Sequence, residues 1–277
     1  MATGSFRVNK VVFIGAGNMA EAFVRGLIAS GVCTADRIFV ADVRPERLAF
    51  FEKEYQVKGS DDNSSAVKNA DIVVLAVKPQ SMDEVVSGLK TSLDKSLVVS
   101  IAAGIPTAWI ESRLGAGVRV IRVMPNTPAL VRAGAAALCA GRWATDEDLC
   151  AVETMMSAVG VAVRVAEKDM DAVTALSGSG PAYVFYLMEA MIEAARHVGL
   201  DDAVARKLIY ATVSGSAKLA EATGVDPAEL RHRVTSKGGT TAAALEVLEE
   251  KAVYHAYLGA IAAAHRRSSK LSGGRSP

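Results

Sequence analysis

Short, continuous apolar runs alternate with longer amphipathic ones over roughly the first 166 residues. Val11–Ile14, Arg37–Ala41, Ile72–Ala76, Leu97–Ser100, Arg119–Val123, Ala135–Cys139 and Val161–Val165 read as strands. Between most of them the apolar positions follow helical spacing, at Asn18–Ser30, Pro45–Glu54, Ser81–Leu89, Thr107–Leu114 and Asp146–Val159. Continuous apolar strands separated by helices predict a mostly parallel sheet covered on both faces. The last strands have shorter connections, which predicts an antiparallel extension. From Asp169 the strand pattern stops. Helices are predicted at Gly180–Val198, Asp201–Ala222 and Thr240–Arg267, with a short one after Asp226-Pro227. The first is apolar on most sides, with Glu189, Glu193 and Arg196 on one narrow stripe. A helix with so little polar surface is normally buried in a bundle or an interface. Three such helices make a thin core, so this half reads as a helical dimerisation domain. Ser268–Pro277, polar and rich in Gly and Ser, reads as a loose tail.

The first strand runs into Gly15-Ala16-Gly17-Asn18-Met19-Ala20, a G-x-G-x-x-A turn that opens a helix. Glycine at the first two marked positions permits a tight turn and close approach of a pyrophosphate, and Ala20 permits tight helix–strand packing. Strand, turn and helix come in the order that dinucleotide binding needs. Asp42 stands at the end of the second strand, where an acid meets ribose hydroxyls. Two further strand ends, Ala76-Val77-Lys78-Pro79-Gln80 and Ser100-Ile101-Ala102-Ala103-Gly104, lie where open α/β sheets bind ligands, though each alone reads equally as an ordinary turn. The expected fold class is an α/β Rossmann-type dinucleotide-binding domain over residues 1–167, followed by an all-α helical dimerisation and substrate-binding domain over 168–277.

The second loop of interest is Val234–Glu250, V-T-S-K-G-G-T-T-A-A-A-L-E-V-L-E-E. Gly238 and Gly239 let the backbone approach a ligand. Thr240 and Thr241 then start a long apolar-periodic run, and a helix start offers unpaired N–H groups and partial positive charge to a carboxylate. Ser236, Thr240 and Thr241 add hydroxyls. Without further context a capped helix explains the same residues. Met124-Pro125-Asn126-Thr127-Pro128 is another breaker-rich turn, and Ser177-Gly178-Ser179-Gly180-Pro181 starts a helix that faces a ligand or is simply capped.

Composition narrows the choices. The 277 residues suggest one or two domains. With 31 basic and 30 acidic residues the net charge is +1, which gives no electrostatic case for nucleic acid or acidic membranes. Cys33, Cys139 and Cys150 lack metal spacing and read as reduced thiols of a cytoplasmic protein. No metal site is expected. The first nine residues hold no apolar signal region, and the apolar run Pro181–Met188 ends at Glu189, too short for a bilayer. His197, His232, His255 and His265 all lie in the helical half, none beside an obvious nucleophile. A nicotinamide enzyme without an evident general base points to a substrate that is already electrophilic, such as an iminium.

At this point the chain resembles the pyrroline-5-carboxylate reductases, enzymes of the last step of proline synthesis. The resemblance rests on V-T-S-x-G-G-x-T-x-x-A-L-x-x-L-E, G-A-G-N-M-A, A-V-K-P-Q, M-P-N-T-P and D-A-V-T-A-L-S-G-S-G-P-A-Y (Asp171 to Tyr183), in the family's order. Lys237 departs from the family's usual proline, and Arg233 from a frequent amide residue. The resemblance implies hydride transfer from nicotinamide C4 to the imine carbon of the substrate, giving L-proline. It implies that the N–H groups of Gly239, Thr240 and Thr241, with Ser236, hold the substrate carboxylate in the turn containing Gly238. The Thr241 hydroxyl would meet the ring nitrogen. Asn63, Ala76-Val77-Lys78-Pro79, Ala102-Ala103 and Glu167 match positions lining the coenzyme groove. The family's helical domains form homodimers that often assemble as a ring of five, a decamer. The coenzyme is NADPH or NADH: Asp42 favours NADH, whereas Arg44 and Arg47 suit a 2′-phosphate, and the family tilts the balance to NADPH. A β-hydroxyacid dehydrogenase would need a Lys and an Asn on a helix, but every Asn here precedes the helical half. A silent dinucleotide sensor would not need Ser236 and Thr241.

Overall fold

The computed structural model describes residues 8–273. The strands are β1 (Val11–Ile14), β2 (Ile38–Ala41), β3 (Lys58–Ser60), β4 (Ile72–Leu75), β5 (Leu97–Ser100), β6 (Val120–Met124), β7 (Gly134–Ala140) and β8 (Gly160–Arg164). They form one sheet in the order β3-β2-β1-β4-β5-β6-β7-β8. Neighbours from β3 through β6 are parallel, β6 pairs antiparallel with β7, and β7 runs parallel to β8. The antiparallel extension is therefore a reversal at β7, with β8 following β7 in parallel. Chain order reverses between β1 and β4, the switch point at which such sheets open a crevice for a ligand.

Alternation along β1 explains the two apolar layers. Val11 and Phe13 pack with Phe23, Leu27 and Met155 on one face, while Val12 and Ile14 pack with Met82, Ile105 and Ile110 on the other. The first face is covered by α1 (Asn18–Ala29), α2 (Pro45–Tyr55) and α6 (Asp146–Ser157). The second is covered by α3 (Asn63–Ala66), α4 (Met82–Leu89) and α5 (Thr107–Leu114). Burial of both faces is what makes these strands apolar throughout.

After β8 come α7 (Met170–Val173) and a π-helical turn (Thr174–Gly178), then α8 (Gly180–His197), α9 (Asp202–Thr223), α10 (Pro227–Arg233), α11 (Thr240–Glu250) and α12 (Val253–Gly273). Compactness divides the chain into Met1–Ser179 with Ala264–Pro277, and Gly180–Ala263. The π turn belongs with the sheet because Asn126 Nδ2 donates to Ser177 O (3.3 Å), while its Oδ1 accepts from Ala135 N–H (2.8 Å). The single helix expected over Thr240–Arg267 is two helices: Ala252 adopts φ 52°, a left-handed conformation that ends the first. The expected loose tail is corrected as well. Residues 268–273 continue α12, and the hydroxyls of Ser268 and Ser272 donate to Asp171 (2.7 and 2.9 Å). Met1–Arg7 and Gly274–Pro277 lie outside the described residues, so the expected absence of a signal region and the last part of the tail fall there.

The helical unit has little core of its own. Ile192, Ala205 and Ile209 are its buried centre, between α8 and α9. Phe185 (60% exposed), Tyr186 (73%) and Leu208 (54%) remain open. Apolar exposure on that scale marks an association surface. No helix among the described residues is long and apolar enough to cross a membrane.

Candidate functional site

The coenzyme end starts from two glycines with different jobs. Gly15 has φ +99°, and its N–H donates to Ala41 O at 2.7 Å. A Cβ on Gly15 would stand 2.8 Å from Ala76 O, so this residue lets the β1 and β4 loops touch. Gly17 has an ordinary φ of −81° and is the N-cap of α1. A Cβ there would meet nothing within 4 Å. Gly17 thus borders open space at a helix start, where N–H groups and partial positive charge await an anion. Ala16 and Ala20 are buried, Met19 is half-buried and Asn18 is exposed. These positions fit a pyrophosphate lying over the turn.

Asp42 is turned inward to this loop. Its Oδ2 accepts from Ala16 N–H at 2.7 Å, and Arg44 grips both carboxylate oxygens at 2.9 Å. Burial pushes the Asp42 carboxyl upward, but the hydrogen bonds from the Arg44 guanidinium and Ala16 N–H outweigh it and hold it at about 2. Arg44 keeps 51% of its side chain exposed. Arg47 is committed elsewhere: Nε donates to Ala16 O at 2.7 Å, Nη2 to Glu21 at 2.9 Å, and the guanidinium lies over the Phe50 ring. Arg44 and Arg47, paired in the sequence as candidate phosphate ligands, hold different groups in the fold. Arg47 braces the Gly loop, and Arg44, the more exposed of the two, holds Asp42.

Ala76, Val77, Lys78 and Pro79 leave the end of β4, held by Ala76 N–H to Ile14 O at 2.8 Å. Lys78 is exposed and the other three are half-buried. Asn63, half-buried, opens α3, whose N-cap Asp62 accepts from Ser64 N–H at 3.0 Å. Ala102 and Ala103 follow β5, the first buried and the second half-buried. Glu167 lies in a 3₁₀ turn after β8. Its carboxylate accepts from Arg122 Nη1 (2.8 Å) and Thr107 Oγ1 (2.7 Å), and Cys139 Sγ stands 3.4 Å away. Arg122 was missed by the sequence reading. Its signal was a lone cation inside the apolar strand Val120-Ile121-Arg122-Val123.

In the helical unit, the turn Ser236–Thr241 is shaped by its two glycines. Gly238 has φ +71°, and Gly239 N–H donates to Ser236 O at 3.0 Å. A Cβ on Gly239 would collide with the Ser236 hydroxyl. Because the Gly239 N–H is spent inside the turn, the free backbone donors are those of Thr240 and Thr241 on the first turn of α11. Gly239 is the N-cap and no side chain caps this helix, so neither threonine hydroxyl has a capping duty. Ser236, Gly238 and Thr240 are exposed, and Gly239 and Thr241 half-buried. The other two motifs brace each other: Asn126 ties to Ser177, and a Cβ on Gly178 would strike Met124.

Comparison with known proteins matches both parts. Residues 10–104 match the model described as NADP oxidoreductase coenzyme F420-dependent. Residues 167–271 match the pyrroline-5-carboxylate reductase dimerisation model. The chain is 44% identical to the pyrroline-5-carboxylate reductase of Methanosarcina acetivorans, over 95% of this chain and 97% of the other. A solved pyrroline-5-carboxylate reductase from Coxiella burnetii superposes with TM-score 0.90 at 42% identity, covering 96% of this chain and 99% of its own. The pyrroline carboxylate reductase of Plasmodium falciparum, solved with NADP bound, gives TM-score 0.88 at 28% identity, covering 97% and 100%.

Proposed function

The chain belongs to the pyrroline-5-carboxylate reductase family and reduces 1-pyrroline-5-carboxylate to L-proline, and on that premise we propose how its own residues divide the reaction. The sheet-containing unit forms the dinucleotide-binding part, and Gly180–Ala263 carries the substrate turn and the dimerisation helices. Gly15–Ala20 hold the pyrophosphate: Gly17 leaves the space and the α1 start supplies N–H donors. Asn63, Ala76–Pro79, Ala102, Ala103 and Glu167 line the groove for the rest of the coenzyme. NADPH is favoured over NADH, because Arg44 neutralises Asp42 and a 2′-phosphate meets a paired carboxylate beside an exposed cation.

When bound, the reduced nicotinamide supplies the hydride that reaches the imine carbon. The chain's part is positioning and proton handling. The N–H groups of Thr240 and Thr241 and the Ser236 hydroxyl hold the substrate carboxylate, with Gly238 and Gly239 keeping the turn open to it. The Thr241 hydroxyl holds the ring nitrogen and its proton as the imine becomes an amine. The observation that carries this reading is the Ser236–Thr241 turn itself, with Gly238 at φ +71° and a helix start whose hydroxyls are not used as caps. Two copies of the helical unit cover each other's apolar faces, dimers assemble further as a decamer, and the enzyme works in the cytoplasm.

The test is loss of the reduced-nicotinamide absorbance by the purified chain with racemic pyrroline-5-carboxylate and NADPH or NADH, with L-proline measured as product. Proline formed in step with coenzyme oxidation, and faster at limiting NADPH than at limiting NADH, supports the assignment. Consumption of coenzyme without proline would overturn it.

A further inference from the structure

Arg122 is the feature that neither the fold nor the proposed mechanism uses. It sits in the middle of β6, with a side chain only 3% exposed. In register it stands beside Ser100 of β5 and Cys139 of β7, both buried. A guanidinium there would be costly without a partner, and its one ion pair is Nη1 to Glu167 Oε1 at 2.8 Å. Its Nη2 is the one buried side-chain nitrogen or oxygen among the described residues that has no hydrogen-bond partner.

The other end of the pair is different. Glu167 keeps 33% of its side chain exposed. Its Oε2 accepts from Thr107 Oγ1 at 2.7 Å, and Thr107 is the first residue of α5, just beyond the Ala102–Ala103 loop. Cys139 Sγ–H points to the same oxygen at 3.4 Å, and burial, then the Glu167 charge, pushes that thiol well above its ordinary range, so it stays a neutral donor. Three buried groups thus converge on one carboxylate whose remaining face is open.

We propose that Arg122 is a positioning residue: it fixes the Glu167 carboxylate, and through Thr107 the loop carrying Ala102 and Ala103, in the geometry that receives the coenzyme. The proposal rests on the reading that Glu167 lines the coenzyme groove. A salt bridge kept for stability alone is poorly served by this arrangement, since an apolar side chain in β6 would leave no donor stranded. A partly exposed carboxylate held from behind by a buried guanidinium nitrogen on one oxygen and a hydroxyl on the other is what a preorganised ligand contact requires.

The experiment is a cycle of Arg122→Met, Glu167→Gln and the double variant, with Arg122→Lys as a fourth protein. KM for NADPH, kcat and melting temperature are measured on each preparation. Each single variant should raise KM for NADPH about tenfold, with kcat per folded molecule changed less. The double variant should be no worse than the poorer single, because Arg122 acts only through Glu167. Arg122→Lys keeps the charge without the planar guanidinium that reaches Glu167, and should raise KM severalfold at a melting temperature near the parent's. It carries the test if Arg122→Met does not fold. Unchanged KM in Glu167→Gln would remove Glu167 from the groove, and the proposal with it. A double variant with multiplied defects, or Arg122 variants that melt early but bind NADPH normally, would overturn the positioning role while leaving Glu167 in place.

Discussion

Gly15 and Gly17 stand two residues apart in one loop, and exchanging each should do opposite things. Gly15→Ala places a Cβ 2.8 Å from Ala76 O and 3.0 Å from Val77 Cγ1, at φ +99°. The backbone term is roughly 1–2 kcal/mol for an L side chain in that region. Forcing a methyl into packed surroundings adds about 1–3 kcal/mol, and the obstacle is backbone rather than a flexible tip. The sum, about 2–5 kcal/mol, corresponds to a melting temperature lowered by about 5–15 °C for a unit of this size. Gly17→Val meets no atom within 4 Å and keeps an allowed φ of −81°. It loses only the preference of glycine over valine as N-cap, about 1 kcal/mol. Its side chain nevertheless fills the space that the pyrophosphate must enter. Calorimetry and a fluorescence titration with NADPH on both variants separate the two glycines. Gly15→Ala should melt early. Gly17→Val should melt within about 4 °C of the parent and bind no measurable coenzyme. Normal titration by Gly17→Val, or equal destabilisation of both variants, would refute the division of labour.

Three more outcomes follow from named contacts. Arg44→Ala should raise KM for NADPH and leave that for NADH nearly unchanged, whereas Arg47→Ala should lower the melting temperature, because Arg47 holds Ala16 O and Glu21; side-by-side kinetics and melting curves check both. The Asp42 carboxyl, held at about 2 in the fold against roughly 3.9 when free, stabilises the protein above pH 4 by about 2 kcal/mol. That contribution should vanish as pH falls from about 4 to about 2, and chemical denaturation of Asp42→Asn should lack this part of the pH dependence. Phe185→Glu puts a charge on the open face of α8 and should shift the species seen by light scattering towards the monomer, an effect absent if that face stays in water.

How far the sequence could be read depended on what each element is made of. The β1–α1 loop was legible because the close approach and positive φ at Gly15 demand glycine, and glycine is visible as a letter. β3 was not, because Lys58-Gly59-Ser60 is a short edge strand without a single buried residue to give a pattern. The break between α11 and α12 was hidden because the apolar spacing runs on through it and the residue that breaks it is alanine. Ser268–Gly273 looked like a loose end since Ser and Gly are poor helix formers, yet two hydroxyls on Asp171 hold that turn in place. At the site the motifs identified loops, but partners decide what each residue is free to do. The letters at Arg44 and Arg47 are the same, and only contacts with Asp42 on one side and Ala16 and Glu21 on the other tell them apart. Arg122 shows the same limit: its letter marks a cation in a strand, while its meaning comes from Glu167, which lies forty-five positions further along the chain.

Thr241 is where the proposed chemistry meets the fewest competing duties. It lies on the first turn of α11, half-buried, with Gly239 rather than a side chain at the cap position. Its hydroxyl makes no hydrogen bond among the described residues, so Thr241→Ala removes nothing the fold relies on. Alanine is also the better helix former, by a few tenths of a kcal/mol, so the melting temperature should hold or rise slightly. The backbone N–H groups that receive the carboxylate are unchanged, and KM for the substrate should therefore move little. What disappears is the one hydroxyl assigned to the ring nitrogen. Losing a hydrogen bond to the reacting nitrogen costs roughly 1–3 kcal/mol, so kcat should fall about ten- to a hundredfold. Coenzyme binding should not change. Thr241→Ser restores the hydroxyl without the methyl and should recover most of the rate. Stopped-flow single turnovers, with melting curves on the same preparations, test the assignment. A Thr241→Ala protein that is fully folded and turns over at the parent rate would take Thr241 out of the mechanism, and would leave the nitrogen's proton to water or to a substrate that arrives already protonated.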